Sequence, residues 1–147
     1  MPAKEHKPFD VQFMHATAVA VDQKGLLLIG PSGAGKSSTA AQMIALGAEL
    51  ISDDQVALRA DGRKIHLSAP DNGPQMIELR GIGLVDCPLN QGETILAAAV
   101  TLDQAHMPAR LPDAKKVTLC DQEVPHRRLC FAPDLGARLM LWLRALS

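Results

Sequence analysis

The sequence predicts an α/β fold built on a mixed β-sheet, and three observations support that prediction. Residues 26–29 (LLLI) form an apolar run with the length of a buried strand. A glycine-rich segment, residues 30–37, follows directly, and residues 38–46 are then typical of a helix that Gly47 is placed to end. The β-prone residues 11–21 precede the run across a short polar turn, so the two segments can pair as a hairpin. An antiparallel partner for the strand ahead of the loop favours a mixed sheet over a purely parallel one.

After the first helix, the chain alternates short β-prone segments with turn residues. The predicted strands are residues 55–59, 64–67, 94–102, 117–120 and 128–131. Glycines and prolines predict loops at residues 70–74 and at residues 106–113, the second of which holds Arg110. Residues 135–146 are amphipathic, follow a proline and predict a second helix.

Composition limits the classes of function that the chain can have. A length of 147 residues suits one domain with a real core. A net charge of -1 argues against nucleic acid and anionic membranes as partners, and 3% aromatic residues argue against the base-stacking surfaces of single-strand binders. No apolar run approaches the roughly 20 residues of a membrane span. The three cysteines, an odd number without metal-binding spacing, favour reduced thiols in a cytoplasmic protein.

The glycine-rich segment matches the phosphate-binding pattern G-x-x-x-x-G-K-[ST] at every defined position. Its glycines let backbone N–H groups approach phosphate oxygens, and the following helix directs its positive end at them. The Lys36 ammonium can reach the β- and γ-phosphates of a nucleotide, and the Ser37 hydroxyl can bind magnesium. The residues predicted to bind the phosphates of ATP are Gly30, Pro31, Ser32, Gly33, Ala34, Gly35, Lys36, Ser37 and Ser38. The alternative, a glycine-rich turn that binds nothing, is the weaker interpretation because the strand–loop–helix setting is also present.

Two adjacent acids, Asp53 and Asp54, follow a short apolar segment downstream of the loop. An acid at the end of a strand beside such a loop can hold Mg²⁺, directly or through water. Because side chains alternate in direction along a strand, one acid can face the metal while the other accepts a proton from an incoming hydroxyl. The alternative is a pair of solvated acids that begin a turn.

Three segments together resemble the catalytic domain of HPr kinase/phosphorylase: residues 30–38, residues 47–54 and residues 78–86. The last of them contains E-x-R-G-x-G, the signature of that family, and the resemblance extends over residues 13–144. The family's bacterial enzymes phosphorylate a serine of the phosphocarrier protein HPr and can remove the phosphate by phosphorolysis. The resemblance therefore implies a P-loop nucleotide-binding core in a mixed sheet, with a nucleotide site similar to that of phosphoenolpyruvate carboxykinase.

The resemblance also implies roles for individual residues. Lys36 matches the lysine that neutralises the nucleotide phosphates, Ser37 a metal-binding hydroxyl, and Asp53 an acid that supports the metal. Asp54 matches the catalytic acid/base, and His15 falls where the family has a histidine close to the phosphates.

Four further residues correspond to the family's signature and to its mobile loop. Glu78, Arg80 and Gly81 match the signature segment near the active site, and Arg110 matches a loop arginine that stabilises the transferred phosphate. The implied cofactors are ATP and Mg²⁺, with inorganic phosphate as substrate of the reverse reaction. The implied partner is an HPr-like phosphocarrier, and the family's hexamer makes a homo-oligomer one expectation.

The chain departs from the family pattern at several points. Ser38 stands where many members have glutamate, and Gly136 is followed by Ala-Arg rather than Arg-Asn. The expected organisation is one catalytic domain over residues 1–147, with residues 1–10 as a loose lead-in, no N-terminal regulatory domain and a short C-terminal tail, as in the short alphaproteobacterial form. These departures motivate an alternative function, a nucleotide-binding regulatory module with weak or no catalysis; a small-molecule kinase on the same scaffold is a third interpretation. If the family resemblance is left aside, the ordinary interpretation of His15, Arg80 and Arg110 is a structural or surface role.

Overall fold

The computed structural model describes residues 11–70, 76–90, 92–105 and 115–146, and within these ranges the chain forms eleven strands and two helices. In chain order they are β1 (Val11–Met14), β2 (Ala16–Val21), β3 (Lys24–Ile29), α1 (Lys36–Ala45), β4 (Glu49–Ser52), β5 (Val56–Asp61), β6 (Lys64–Ser68), β7 (Met76–Leu79), β8 (Gly83–Asp86), β9 (Thr94–Leu102), β10 (Lys115–Leu119), β11 (Gln122–Leu129) and α2 (Leu135–Ala145). The predicted lead-in at residues 1–10, most of the predicted loop at 70–74 and the predicted loop that holds Arg110 lie outside the described residues.

The predicted mixed sheet is confirmed. The main sheet runs in the order β1-β5-β6-β9-β3-β2-β4, and β11 adds to β9 and carries β10. Strands β2 and β3 pair antiparallel as the predicted hairpin, whereas β3 pairs parallel with β9, and β9 pairs parallel with β11. As a result, the ends of β3, β4, β9 and β11 meet at one edge of the sheet, together with the start of β2.

The prediction of one strand over residues 11–21 is wrong, because the chain bends at His15. The segment before the bend, β1, pairs with β5, whereas the segment after it, β2, pairs with β3 and β4. The backbone N–H of Ala16 donates to the carbonyl of Asp54 at 3.3 Å, which fixes the bend beside the end of β4. A single straight strand could not have paired with both sets of partners.

The last predicted strand, residues 128–131, is also misplaced. Strand β11 covers Gln122–Leu129 and forms a hairpin with β10. The two residues between them, Cys120 and Asp121, both have positive φ (49° and 62°), the conformation of a tight two-residue hairpin turn. Aspartate tolerates this conformation, but the sequence lacks the glycine that usually marks such a turn.

Helix α1 begins at Lys36, two residues before the predicted start, and its last residue is Ala45, with Gly47 in its predicted terminating position. Gly47 has φ 111° and its N–H donates to the carbonyl of Ile44, while the N–H of Ala48 donates to that of Met43. This pair of bonds is the Schellman arrangement that ends many helices.

Alternation along the strands divides the core into two clusters. Leu26 and Leu28 of β3 face the helices and pack with Met43 of α1 and Leu139 of α2. Leu27, between them, joins a second cluster formed mainly by strand residues. Among the described residues, no helix is long and apolar enough to cross a membrane.

Candidate functional site

The phosphate-binding loop leaves the end of β3 and passes directly into α1, and two of its glycines are required by close packing. A Cβ on Gly30 would lie 2.7 Å from the carbonyl oxygen of Leu102 at the end of β9. A Cβ on Gly35, which has φ 106°, would lie 2.8 Å from Cβ of Phe131. Glycine therefore lets the loop fit between these neighbours while its N–H groups stay available at the start of the helix.

Lys36 lies beneath this loop and is 7% exposed. Its Nζ donates hydrogen bonds to the carbonyl oxygens of Gly30 at 2.7 Å and Pro31 at 3.1 Å. Burial lowers the pKa of the Lys36 ammonium from its ordinary value, while the charges of Asp53 and Asp54 act in the opposite direction. The Lys36 ammonium has therefore lost solvation, and the negative charge of an incoming phosphate would offset that loss.

Asp53 is buried at the end of β4 and is held by two hydroxyl groups. Thr17 donates to its Oδ1 at 2.8 Å, and Ser37 donates to the same oxygen at 2.9 Å. Both donors come from other elements, β2 and α1, so these hydrogen bonds fix the carboxylate against the first turn of the phosphate-loop helix. A buried carboxylate is stable in such a place only when hydrogen bonds replace its water.

We expect Thr17→Val to lower the free energy of unfolding by about 1–3 kcal/mol, because it removes a donor to a buried charged group and conserves volume. Thr17 is 0% exposed, so water cannot replace the hydroxyl. Urea unfolding of Thr17→Val measures this, and Thr17→Ser, which keeps the hydroxyl, is the matched control. Equal stability of the valine and serine variants would show that the hydrogen bond contributes nothing.

Ser37 and Asp53 present a hydroxyl and a carboxylate oxygen within hydrogen-bond distance of each other. Mg²⁺ at nucleotide sites is usually held by one or two carboxylates together with substrate phosphates and water, and this donor pair fits that pattern. Among the described residues, no group of three or more His, Cys, Asp or Glu side chains could hold a metal by itself. The donor set therefore suits a cation that arrives with phosphate.

Asp54 differs from its neighbour in conformation and exposure. It has φ 78°, a left-handed conformation that is uncommon for a residue other than glycine, and its side chain is 77% exposed. Its Oδ1 accepts a hydrogen bond from Nε2 of His15 at 2.9 Å. Positive φ at a non-glycine residue is often found at functional sites. Here the positive φ of Asp54 turns the chain, so that the carboxylate of Asp53 is buried and the carboxylate of Asp54 is exposed.

The hairpin of β7 and β8 forms another wall of the site. Glu78, Arg80 and Gly81 from the signature segment line it, together with the aliphatic side chains of Ile82 and Leu84. The last two are 76% and 66% exposed. The hairpin packs on α1 through the buried Ile77. One wall of the site thus has charged and apolar groups side by side.

These elements enclose one cavity of about 890 Å³, within the range of small-molecule sites. It brings together most of the residues singled out in the sequence: His15, Ser32, Gly33, Ala34, Gly35, Lys36, Ser37, Ser38, Asp53, Asp54, Glu78, Arg80 and Gly81. Gly30 and Pro31 lie at the base of the loop, where their carbonyl oxygens accept hydrogen bonds from Nζ of Lys36. Arg110 lies outside the described residues.

The family model of the HPr Serine kinase C-terminal domain matches residues 9–121 of this chain. The chain belongs to the HPr serine kinase C-terminal domain family. Two relatives called HPr kinase/phosphorylase illustrate the similarity. That of Mycoplasmopsis pulmonis is 42% identical over 73 residues, which are 50% of this chain and 24% of the relative. That of Chlorobium chlorochromatii is 31% identical over 148 residues, which cover 92% of this chain and 44% of the relative. The chain thus spans less than half of the length of these relatives.

The fold of this HPr serine kinase C-terminal domain is also similar to a solved structure. The Hpr(Ser) kinase/phosphatase from Coxiella burnetii superposes with a TM-score of 0.76 at 23% identity. The alignment covers 90% of this chain and 94% of the other. At this identity the likeness supports the fold alone, and it agrees with the mixed sheet around the phosphate-binding loop.

Two cavity residues other than those singled out in the sequence contact the loop from its β9 side. The side chain of Gln104, just after β9, donates to the carbonyl of Gly33 at 2.6 Å. Phe131, just after β11, packs against Gly35. Neither belongs to a local motif, and their position depends on the parallel pairing of β3, β9 and β11. Thr17 could have been noticed as the polar residue in the apolar strand ATAVAV.

Proposed function

We propose that this chain is an ATP- and Mg²⁺-dependent protein kinase that phosphorylates a serine of an HPr-like phosphocarrier. It also catalyses the reverse phosphorolysis, acts in the cytoplasm and regulates a phosphotransferase system. One observation carries the proposal: the phosphate-binding loop and the exposed carboxylate of Asp54 line the same cavity. Membership of the HPr serine kinase family and the names of the relatives support an HPr-like phosphocarrier as the acceptor.

In the forward reaction, the loop and Lys36 hold the triphosphate by backbone N–H groups and one positive charge. Ser37 and Asp53 would hold Mg²⁺, which would neutralise charge on the phosphate oxygens. The carboxylate of Asp54 accepts the proton of the serine hydroxyl. The serine oxygen bonds to the γ-phosphorus as the bond from that phosphorus to the bridging oxygen of ADP breaks. Positioning and charge neutralisation supply most of the acceleration in such reactions.

In the reverse reaction, inorganic phosphate attacks the phosphorus of phosphoserine. Asp54 takes the proton of the attacking hydrogen phosphate and passes it to the serine oxygen as that oxygen leaves, and the products are serine and pyrophosphate. His15 hydrogen-bonds the same carboxylate and orients it for both directions. The same two side chains therefore serve both directions of transfer.

The wall of the cavity that the β7–β8 hairpin forms favours a protein acceptor over a small metabolite. Ile82 and Leu84 expose most of their side chains at the same wall that carries Arg80. A metabolite bound at the phosphates would leave both in water, whereas a protein surface would bury them.

We expect the double variant Ile82→Ser and Leu84→Ser to raise the KM for the phosphocarrier roughly tenfold, because partial burial of two aliphatic side chains contributes about 1–2 kcal/mol. ATP affinity should not change, since neither side chain belongs to the loop. Steady-state kinetics with varied phosphocarrier, together with ATP titration, measure both effects. Leu141→Ser, at a 70% exposed site of α2 away from the cavity, is the matched control. An unchanged KM in the double variant would exclude the hairpin as the docking wall.

Mass spectrometry of the cognate phosphocarrier after incubation with this protein, ATP and Mg²⁺ tests the proposed function. The expected product has one added phosphate on a serine. The same incubation with the Asp54→Asn variant, and without enzyme, gives the background. Absence of transfer to protein, with turnover on a metabolite instead, would favour the small-molecule kinase.

A second candidate, the nucleotide-binding regulatory module, is favoured by one observation. Ser38 lies exposed in the first turn of α1 and lines the cavity, so this chain has a hydroxyl where many family members have a carboxylate. A single-turnover assay with labelled ATP distinguishes the candidates: the module would bind ATP and the phosphocarrier but leave the label on ATP.

A further inference from the structure

The phosphate-binding loop divides the cavity into two sides because of where β3 lies in the sheet. Strand β3 pairs with β2 on one side and with β9 on the other. Asp53 and Asp54 follow β4 on the β2 side, whereas Gln104 follows β9 and Phe131 follows β11 on the opposite side. All four residues line the same cavity. The acids and Phe131 therefore face the loop from opposite directions.

The proposed function fixes which way a nucleotide must lie across this division. Phosphoryl transfer to a serine beside Asp54 requires the terminal phosphate to lie on the β2 side. The three phosphates form a chain, with the ribose and base at its other end. With the phosphates on the loop, that end extends over the ends of β9 and β11, where Gln104 and Phe131 lie.

Phe131 has the position and chemistry to receive a base there. A Cβ on Gly35 would lie 2.8 Å from Cβ and 3.1 Å from Cδ1 of Phe131, so its ring lies against the loop backbone. Phe131 is half-buried, so part of its ring surface stays accessible in the cavity. It is the only Phe or Trp among the described residues that line the cavity. By contrast, Trp142 is engaged with the guanidinium of Arg127, 5.0 Å from its ring centroid.

We propose that Phe131 is the platform of a nucleobase subsite, on which the base of a bound nucleoside triphosphate stacks. This inference rests on the proposed function for the direction of the nucleotide. Stacking on a ring face is tolerant of base identity. Gln104 uses its side-chain amide to hold the carbonyl of Gly33, so it supports the loop and not the base. The subsite should therefore accept adenine and guanine with similar affinity.

Titration of the Mg²⁺ complexes of ATP, GTP and inorganic tripolyphosphate into wild type and variants tests the subsite. Phe131→Leu keeps an aliphatic contact with Gly35 but removes the ring face. It should weaken ATP and GTP about five- to a hundredfold and leave tripolyphosphate unchanged. Phe131→Trp should restore nucleotide affinity. Gln104→Ala should weaken all three ligands alike, because it acts through the loop.

Two results would overturn the subsite. Equal losses for ATP and tripolyphosphate in Phe131→Leu would mean that Phe131 only positions Gly35, and no loss for any ligand would place the base elsewhere. If wild type still transfers phosphate from ATP to protein in either case, the proposed function stands without the subsite. If wild type binds neither ATP nor tripolyphosphate, both the subsite and the proposed function are refuted.

Discussion

Replacing Asp54 by asparagine is expected to lower the rate of phosphoryl transfer by about 10²–10⁴-fold, the usual contribution of a positioned proton acceptor. ATP affinity should change little, because the Asp54 side chain is 77% exposed and its hydrogen bond goes to His15 rather than to the loop. Asparagine also tolerates the left-handed conformation that Asp54 adopts, so the backbone should be preserved.

Single-turnover transfer from labelled ATP and equilibrium titration of ATP separate the two effects. Asp121→Asn is a closely matched control: Asp121 also has positive φ (62°) and is exposed, but it lies in the β10–β11 turn and does not line the cavity. Turnover by Asp54→Asn equal to that of the control would remove Asp54 from the mechanism.

The second large effect is expected from Lys36→Met, which removes the charge beneath the loop and nearly conserves volume. Hydrogen bonds to charged groups contribute about 1.5–3 kcal/mol, so ATP affinity should fall roughly ten- to a hundredfold or more. Burial lowers the pKa of Lys36, which means that folding disfavours its charged form. The variant also loses the hydrogen bonds to the carbonyls of Gly30 and Pro31, which opposes that gain. The free energy of unfolding without nucleotide should therefore change little at neutral pH.

Lys24→Met provides the opposite pattern as a control. The Nζ atom of Lys24 donates to the carbonyls of Leu143 and Leu146 at the end of α2, far along the chain from the loop. Its loss should lower the free energy of unfolding by about 1–3 kcal/mol without weakening ATP. Calorimetric titration and urea unfolding of both variants test the contrast. Wild-type ATP affinity in Lys36→Met would count against the phosphate-binding assignment of the loop.

The parts of the site that lie close together in sequence could be predicted, and those that depend on strand order could not. The strand–loop–helix around Lys36 is encoded in one continuous stretch, and the mixed sheet followed from the hairpin before it. The bend at His15 could not be seen, because it results from two sets of strand partners far along the chain. Phe131 escaped for the same reason, since it meets the loop only after β11 has paired. Thr17 is visible in the sequence as a polar residue in an apolar strand, but its partner, Asp53, comes beside it only after β2 and β4 have paired. The roles of the individual residues remain predictions that the variants test.

A crystal structure of the chain with Mg²⁺ and a non-hydrolysable ATP analogue tests the proposed phosphoryl transfer most directly. We expect the γ-phosphate to lie on the β2 side of the loop, facing the carboxylate of Asp54, with room for a serine hydroxyl between them. A γ-phosphate on the β9 side, directed away from Asp54, would contradict the proposed transfer.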